Sequence, residues 1–492
     1  MFYKLLISIS LFLILALGLL TKDPVVFPDE TSFAMISLNL IEKDLFSTTA
    51  FSNQLPAIQL EDLAYHGPVY YWLLAVVFKI FGFSLLSLRL TSVMMGLGVV
   101  ISVYWLAREL RIRSKLAWLP GLLLSVDYNF LRTSRFGRPE ILTAWLGVLS
   151  LIVYLKLRRN RTWQNYSSLG ALLALGILSH LALGWLIPIA IGIHLLISKS
   201  WQLLFNKKTI GLLLITGVSL LFWCVYAGRI LSDLGKVSTA IGVRFKPSFH
   251  SIQMILSGDI VVKTIFLIYG LVLAGLMMIK VKNKQEIFWI LVSGVLMAGV
   301  ILGGIDWYLG LLALPAYVAL TMLINRFQVK PNSFQYNGLI LIACLVFILS
   351  GLEQLSLNIF YKNCNYNDYS RKISDYLPTG AKVWMRPLIP DIAFYLIEKR
   401  PDLRLAFEEY FDHDQKNLKT YLDLADYAII YGVDYQVMNL IGKIEAQQLE
   451  QLKQDRNLKP MLVDFLKPYQ TEAKLIESSQ HDAPIAIYQI KR

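Results

Sequence analysis

The 492-residue sequence is poor in cysteine, histidine and charge. Its three cysteines, Cys224, Cys344 and Cys364, lie far apart, two of them inside apolar stretches, which gives no metal-ligand spacing and no disulfide framework. Only 16% of residues are charged against 56% hydrophobic, which excludes an ordinary soluble protein of this length and indicates an integral membrane protein. No internal repeat or low-complexity tract is present. No small-residue cleavage site precedes Asp23-Pro24, so the first apolar run, Leu5 to Leu20, reads as a retained helix rather than a removed signal.

Long apolar runs are abundant. Those able to span a bilayer fall at about 5–20, 85–107, 116–131, 139–157, 167–180, 181–198, 209–227, 260–279, 287–304, 308–325 and 338–358. This predicts a mainly α, polytopic fold of about eleven transmembrane helices, twelve or thirteen if shorter runs also cross. Arg108 to Lys115, Lys156 to Arg161, Lys199 to Lys208, Lys280 to Lys284, and Arg326 with Lys330 form basic loops on one side, cytoplasmic by the positive-inside rule. The N-terminus is then cytoplasmic in an inner (plasma) membrane. The loop 21–67 and the C-terminal tail are external, or periplasmic. If Pro68 to Phe83 and the 85–107 run both spanned, the next basic loop would be exported. Pro68 to Phe83 therefore reads as a short interfacial or half-inserted helix, and its length and Lys79 agree with this. Phe33, Ile36 and Leu40 recur at helical spacing in Pro28 to Phe46, as in a helix lying on the membrane surface.

From about residue 361 the composition changes. The tail carries 18 Lys/Arg and 19 Asp/Glu, a net of −1, so the positive charge of the chain, +13 overall, resides in the preceding part, 1–360. Short β-like runs (Ala381 to Met385, Tyr427 to Tyr431, Ala483 to Ile490) alternate with helical ones (Asp391 to Lys399, Gln415 to Leu424, Val437 to Leu452). This predicts a soluble α/β domain over 361–492 following a membrane domain. The positive charge serves topology and contact with anionic lipid, not nucleic acid.

The residues able to carry chemistry cluster at the external ends of the spans. Asp29-Glu30 follows Pro28 just beyond the first span; an acid pair there suits an ordinary helix start, or a base for a hydroxyl, or a metal ion. Tyr65-His66-Gly67-Pro68-Val69-Tyr70-Tyr71-Trp72 supplies either an aromatic belt or, through His66, a phosphate donor or proton shuttle. Arg132, Arg135 and Arg138 occupy an external turn against the charge trend, and guanidinium forks match phosphate oxygens; Glu140 enters the next span beside them. His180 and Asp306-Trp307-Tyr308 lie in later external turns; a lone histidine among leucines is more often structural, and Asp306 by itself is no stronger a signal.

In order and sidedness these residues resemble the GT-C superfamily of polytopic glycosyltransferases, in particular the branch of protein O-mannosyltransferases and bacterial aminoarabinose (lipid A) transferases. The resemblance rests on Pro28-Asp29-Glu30, Pro68 to Trp72, Arg135 to Glu140, His180 and Tyr308 to Pro315, and covers about residues 1–325. Where the aminoarabinose transferases tend to have Lys-Pro-Pro, a later lysine and an arginine, this chain has His66-Gly67-Pro68, His180 and Asp306-Trp307. The resemblance implies sugar transfer from a polyprenyl-phosphate donor to a hydroxyl of a lipid, glycan or protein, with inversion. It implies Asp29 as base and Glu30 in support. His66, Tyr70, Arg135, Arg138, Glu140, His180 and Tyr308 would hold donor or substrate. No cofactor is required by a monophosphate leaving group; Asp29 and Glu140 are the candidates for a divalent cation such as Mg2+ or Mn2+. The competing reading is a lipid-substrate transporter or flippase, which would place ionisable groups and broken helices near the bilayer midplane in paired halves.

Overall fold

A computed structural model describes residues 2–18, 20–21, 26, 28–43, 46, 67–181, 183–203, 205–226, 288–296, 309–327, 366–386, 391–407, 425–431, 459–466 and 483–489. The expected spans at 260–279 and 338–358, the helical runs Gln415 to Leu424 and Val437 to Leu452, and the residues His66, Asp306, Trp307 and Tyr308 lie outside them. The chain divides into two units. The first comprises 1–20, 61–70 and 89–359; the second comprises 21–60, 71–88 and 360–492.

The first unit is helical. Helix α1 is Phe2–Leu17, and α4 runs Leu85–Glu109, most of it in this unit; α5 is Leu119–Val126, α6 Tyr128–Arg135, α7 Glu140–Arg159 and α8 Trp163–Ser179. A 3-10 turn at Leu183–Trp185 leads into α9, Leu186–Ile197, followed by α10, Thr209–Tyr226, and α11, Leu309–Phe327; residues 288–296 are also helical. Among the described residues, α4 and α7 are long and apolar enough to cross a membrane. At 1.5 Å per residue, the 20 residues of α7 reach about 30 Å, the hydrocarbon thickness. Leu86, Leu90 and Met94 on α4 form an exposed i, i+4 stripe, and Leu213, Leu214, Val218, Leu221 and Val225 do so on α10. Such stripes suit lipid as the solvent.

The expected span at 116–131 is broken. Asp127 has extended backbone (φ −69°, ψ 121°), ends α5 and caps α6, its Oδ1 accepting from Phe130 N at 2.8 Å. An acid placed there finds its hydrogen bonds by opening the helix, which is why an unbroken apolar count misreads the segment. Among the described residues the basic loops gather at one end of the bundle. Arg159 pairs with Glu109 at 2.8 Å, Lys208 Nζ donates to Arg161 O at 2.7 Å, and Arg113 N donates to Asn325 Oδ1 at 3.1 Å beside Arg326.

The second unit holds α2, Pro28–Lys43; most of α3, Pro68–Phe81; and α12, Tyr366–Tyr376, with α13, Asp391–Lys399, around a five-stranded sheet. Strands β1 (Lys382–Arg386), β2 (Arg404–Phe407), β3 (Tyr427–Tyr431), β4 (Lys459–Leu466) and β5 (Ala483–Gln489) lie in the order β2-β1-β3-β5-β4. β2, β1 and β3 are parallel, while β5 runs antiparallel to both β3 and β4. The expected strands at 381–385, 427–431 and 483–490 and the helix at 391–399 are present; β2, β4 and α12 are additional. Lys459 and Pro460 open β4 with a register shift before Leu462, and charge, proline and bulge together weaken the alternation that marks a strand.

Helix α2 is not the one-sided surface helix its spacing suggests. Phe33, Ile36, Met35, Ala34, Ser37 and Thr31 are all buried, because small residues between the large ones let neighbours close in on several faces. Helix α3 keeps a half-and-half character: Leu74 and Phe78 are buried, whereas Val76, Ile80 and Phe81 are exposed.

Candidate active site

In the first unit the site is built at the end of the bundle opposite the basic loops. Helix α7 starts there and carries Lys156, Arg158 and Arg159 in its last turn; α8 runs back and ends at His180. Glu140 occupies the first position of α7 after Pro139, where a carboxylate interacts favourably with the helix dipole. Arg138 Nε and Nη2 both donate to Glu140 Oε1, at 2.9 and 2.6 Å. The pair is buried, with side chains 6% and 1% exposed. Glu140 Oε2 is buried with no hydrogen-bond partner, leaving one acceptor beside the ion pair. His180 is within electrostatic reach of the Glu140 carboxylate.

His180 is buried at the C-cap of α8, and its Nδ1 accepts from Leu183 N at 3.2 Å. That bond puts the ring proton on Nε2 and makes the neutral imidazole a hydrogen-bond donor on its other edge. The turn that holds it is tight: Gly184 lies so close to Gly176 and Ile177 that a Cβ would be 2.4 Å from each backbone. A Cβ on Gly67 would sit 1.9 Å from the carbonyl of Leu178, so only glycine lets the start of α3 pack against this turn. Glycine in His66-Gly67-Pro68 thus has a packing reason.

Further along α7 the helices leave a small apolar pocket of about 50 Å3, lined by Thr143, Gly147, Leu151, Leu183, Ile187 and Leu314 among others. Thr143 is one turn along α7 from Glu140, and Leu183 is the residue whose N–H holds His180. The apolar pocket thus begins one helical turn from the Arg138–Glu140 pair and beside the turn that holds His180.

Other candidates take different places. Arg135 Nη2 donates to Gly18 O at 2.6 Å, and the buried Arg89 donates from Nη1 to Leu20 O at 2.9 Å, so both guanidinium groups engage carbonyls at the end of α1. Tyr70 is buried with its hydroxyl 3.3 Å from Ser92 Oγ, tying α3 to α4. In the second unit, Asp29 and Glu30 stand in the first turn of α2; Asp29 is half-buried and Glu30 fully buried. Asp127 was not a sequence candidate, although a lone acid inside an apolar run was a readable signal. It accepts from Tyr317 Oη at 2.6 Å. Arg89 carried the same signal.

The donor set offers little to a metal. Among the described residues no three His, Cys, Asp or Glu side chains converge, and Glu140 Oε1 is committed to Arg138.

Residues 65–227 match the family model described as dolichyl-phosphate-mannose-protein mannosyltransferase. A protein of Aquifex aeolicus is 28% identical over 154 residues, 31% of this chain and 30% of that protein, so the match spans about a third of its length. Among solved structures, ArnT from Cupriavidus metallidurans bound to undecaprenyl phosphate is similar with a TM-score of 0.64 at 12% identity, over 98% of this chain and 97% of that one. The Archaeoglobus fulgidus oligosaccharyltransferase complexed with Zn and sulfate gives 0.55 at 13% identity, over 87% and 67%. The mycobacterial arabinofuranosyltransferase AftD gives 0.51 at 13% identity, over 99% of this chain and 40% of that one. In fold, the chain is similar to these three solved structures over most of its length, and residues 65–227 carry the match to the mannosyltransferase family model.

Proposed function

We propose that the protein transfers a sugar from a polyprenyl-phosphate donor to an acceptor hydroxyl at the outer face of the membrane. The observation that carries this reading is the buried Arg138–Glu140 pair with His180 within reach of the same carboxylate: fixed polar donors gathered at one helix end suit the phosphate of such a donor. Asp29, the more accessible member of the acid pair, takes the proton from the acceptor hydroxyl. The freed oxygen forms a bond to the anomeric carbon as the bond from that carbon to the phosphate oxygen breaks, giving inversion. The electron pair leaves with the polyprenyl phosphate. Arg138, held by Glu140, and the Nε2–H of His180 stabilise the charge on it. Glu30 supports Asp29 or binds acceptor, and His66 and Tyr308 are further phosphate and substrate contacts in this reading.

Among the described residues, the broken helix with Asp127 at its centre favours a transporter. Its carboxylate is already engaged by Phe130 N and Tyr317 Oη, as in a structural cap. The two readings separate when purified protein is given a polyprenyl-phosphate sugar and a panel of lipid, glycan and peptide acceptors. Release of free polyprenyl phosphate with a glycosylated acceptor supports transfer. Lipid translocation in vesicles without transfer to any acceptor would replace it with a flippase.

A further inference from the structure

The helix that carries the acid pair belongs to the hydrophobic core of the C-terminal domain. Met35 of α2 is buried in one cluster with Val383 and Met385 of β1, Leu405 of β2, Ile429 of β3 and Ile397 of α13, and Leu38 packs against it. Helix α13 reaches the same part of the chain twice more. Phe394 stacks on Phe83 at 5.1 Å and 27°, and Glu398 Oε1 accepts from Leu85 N at 3.2 Å, satisfying a free amide at the start of α4. Phe83 in turn contacts Phe78 of α3 at 5.0 Å, and Tyr71 of α3 contacts Phe33 of α2 at 5.5 Å. Met35 and Phe33 lie within six residues, under two turns, of Asp29 on one helix, so its height and tilt follow from these contacts.

We propose that the C-terminal α/β domain is the positioning element for the acid pair, with Met35, Phe394 and Glu398 as its positioning residues. This rests on the reading of Asp29 as the base. A packed helix transmits displacement along its length, and a misplacement of about 1 Å at a reacting group can cost about a hundredfold in rate. A domain remote from the acid pair in sequence thereby sets turnover. A partner that grips the sheet or α13 would act on the same helix.

The test compares Met35→Ala, Phe394→Ala and the conservative Met35→Leu in the full-length protein, by transfer kinetics and by amide hydrogen exchange. Expected are a ten- to hundredfold fall in kcat for the two alanine variants with KM for the donor within about twofold, recovery in Met35→Leu, and faster exchange over residues 31–43 with α7 unchanged. Wild-type kcat and unchanged exchange in the folded alanine variants would overturn the proposal. A fall in kcat without a change over 31–43 would overturn it equally. If an alanine variant does not fold, Glu398→Gln, which keeps side-chain volume and weakens the bond to Leu85 N, carries the same two readouts. A wild-type protein inactive toward every donor and acceptor defeats the base assignment instead, and exchange alone then decides whether the domain holds α2.

Discussion

The Tyr317 hydroxyl donates to Asp127 Oδ2 at 2.6 Å across 190 residues of sequence, pinning α11 to the break between α5 and α6. Both side chains are fully buried, and the other carboxylate oxygen caps α6 through Phe130 N. Gly310, near the start of α11, lies so close to Thr133 and Asn129 that a Cβ would meet them at 2.3 and 2.6 Å. The start of α11 and α6 thus form one packed unit leading to the arginine turn. Tyr317→Phe removes one donor from a buried carboxylate and should cost about 1–3 kcal/mol, read as a lower thermal midpoint in detergent.

Arg138 and Glu140 should behave as a pair. Glu140→Ala strands a buried guanidinium and should destabilise the protein by about 3–5 kcal/mol. Arg138→Lys keeps a charge but loses the fork onto Oε1, so donor affinity should fall more than stability. Titration with polyprenyl phosphate and thermal unfolding measure the two separately; equal loss in both would assign the pair to structure alone.

For Asp29 the expectation is kinetic. Asp29→Asn keeps size and helix-start hydrogen bonding but removes proton acceptance, so turnover should fall by about 10²- to 10⁴-fold while donor binding is retained. Near-normal transfer by this variant would move the base to Glu30 or Glu140.

Topology gives a prediction independent of chemistry. Reporters fused after Arg492 or inserted near Asn53 should read as external. The sequons Asn160-Arg161-Thr162 and Asn165-Tyr166-Ser167 should stay unmodified in a glycosylating host, because they lie among the basic loops. Thr162 also caps α8, its Oγ1 accepting from Asn165 N at 3.2 Å.

In the C-terminal domain, Arg400 donates from Nε and Nη2 to Asp402 at 2.8 Å each. Hydrogen bonding from Arg400, helped by the N–H of Gly380, holds the Asp402 carboxyl well below the usual carboxylate range. A lowered folded-state value means stabilisation present above the ordinary aspartate value of 3.8 and lost as pH falls through the folded one. The pair is partly exposed, so the effect is small and screened by salt. Asp402→Asn should therefore lower hydrogen-exchange protection of β1 and β2 at neutral pH. Its difference from wild type should fade as pH drops well below 3.8.

Residue order alone pointed to a membrane protein of two parts, 1–360 and 361–492, and to the acid, arginine and histidine positions worth testing. The structure instead groups 21–60 and 71–88 with 360–492. Hydrophobic runs and charge bias act locally, through the cost of placing each residue in lipid or water, and so remain readable without a fold. Tertiary structure decided which arginine does what. Arg135 and Arg138 are alike in sequence, yet Arg135 reaches a helix carbonyl and Arg138 a carboxylate, because one ends α6 beside α1 and the other precedes α7. It also decided that Gly67 packs at the His180 turn, that Asp127 breaks a span, and that Met35 of the acid-bearing helix belongs to the core of a domain more than 300 residues away. Such assignments depend on contacts between segments distant in sequence, where a side chain's role is set by the partner that packing brings within about 3 Å, and no local pattern encodes that partner.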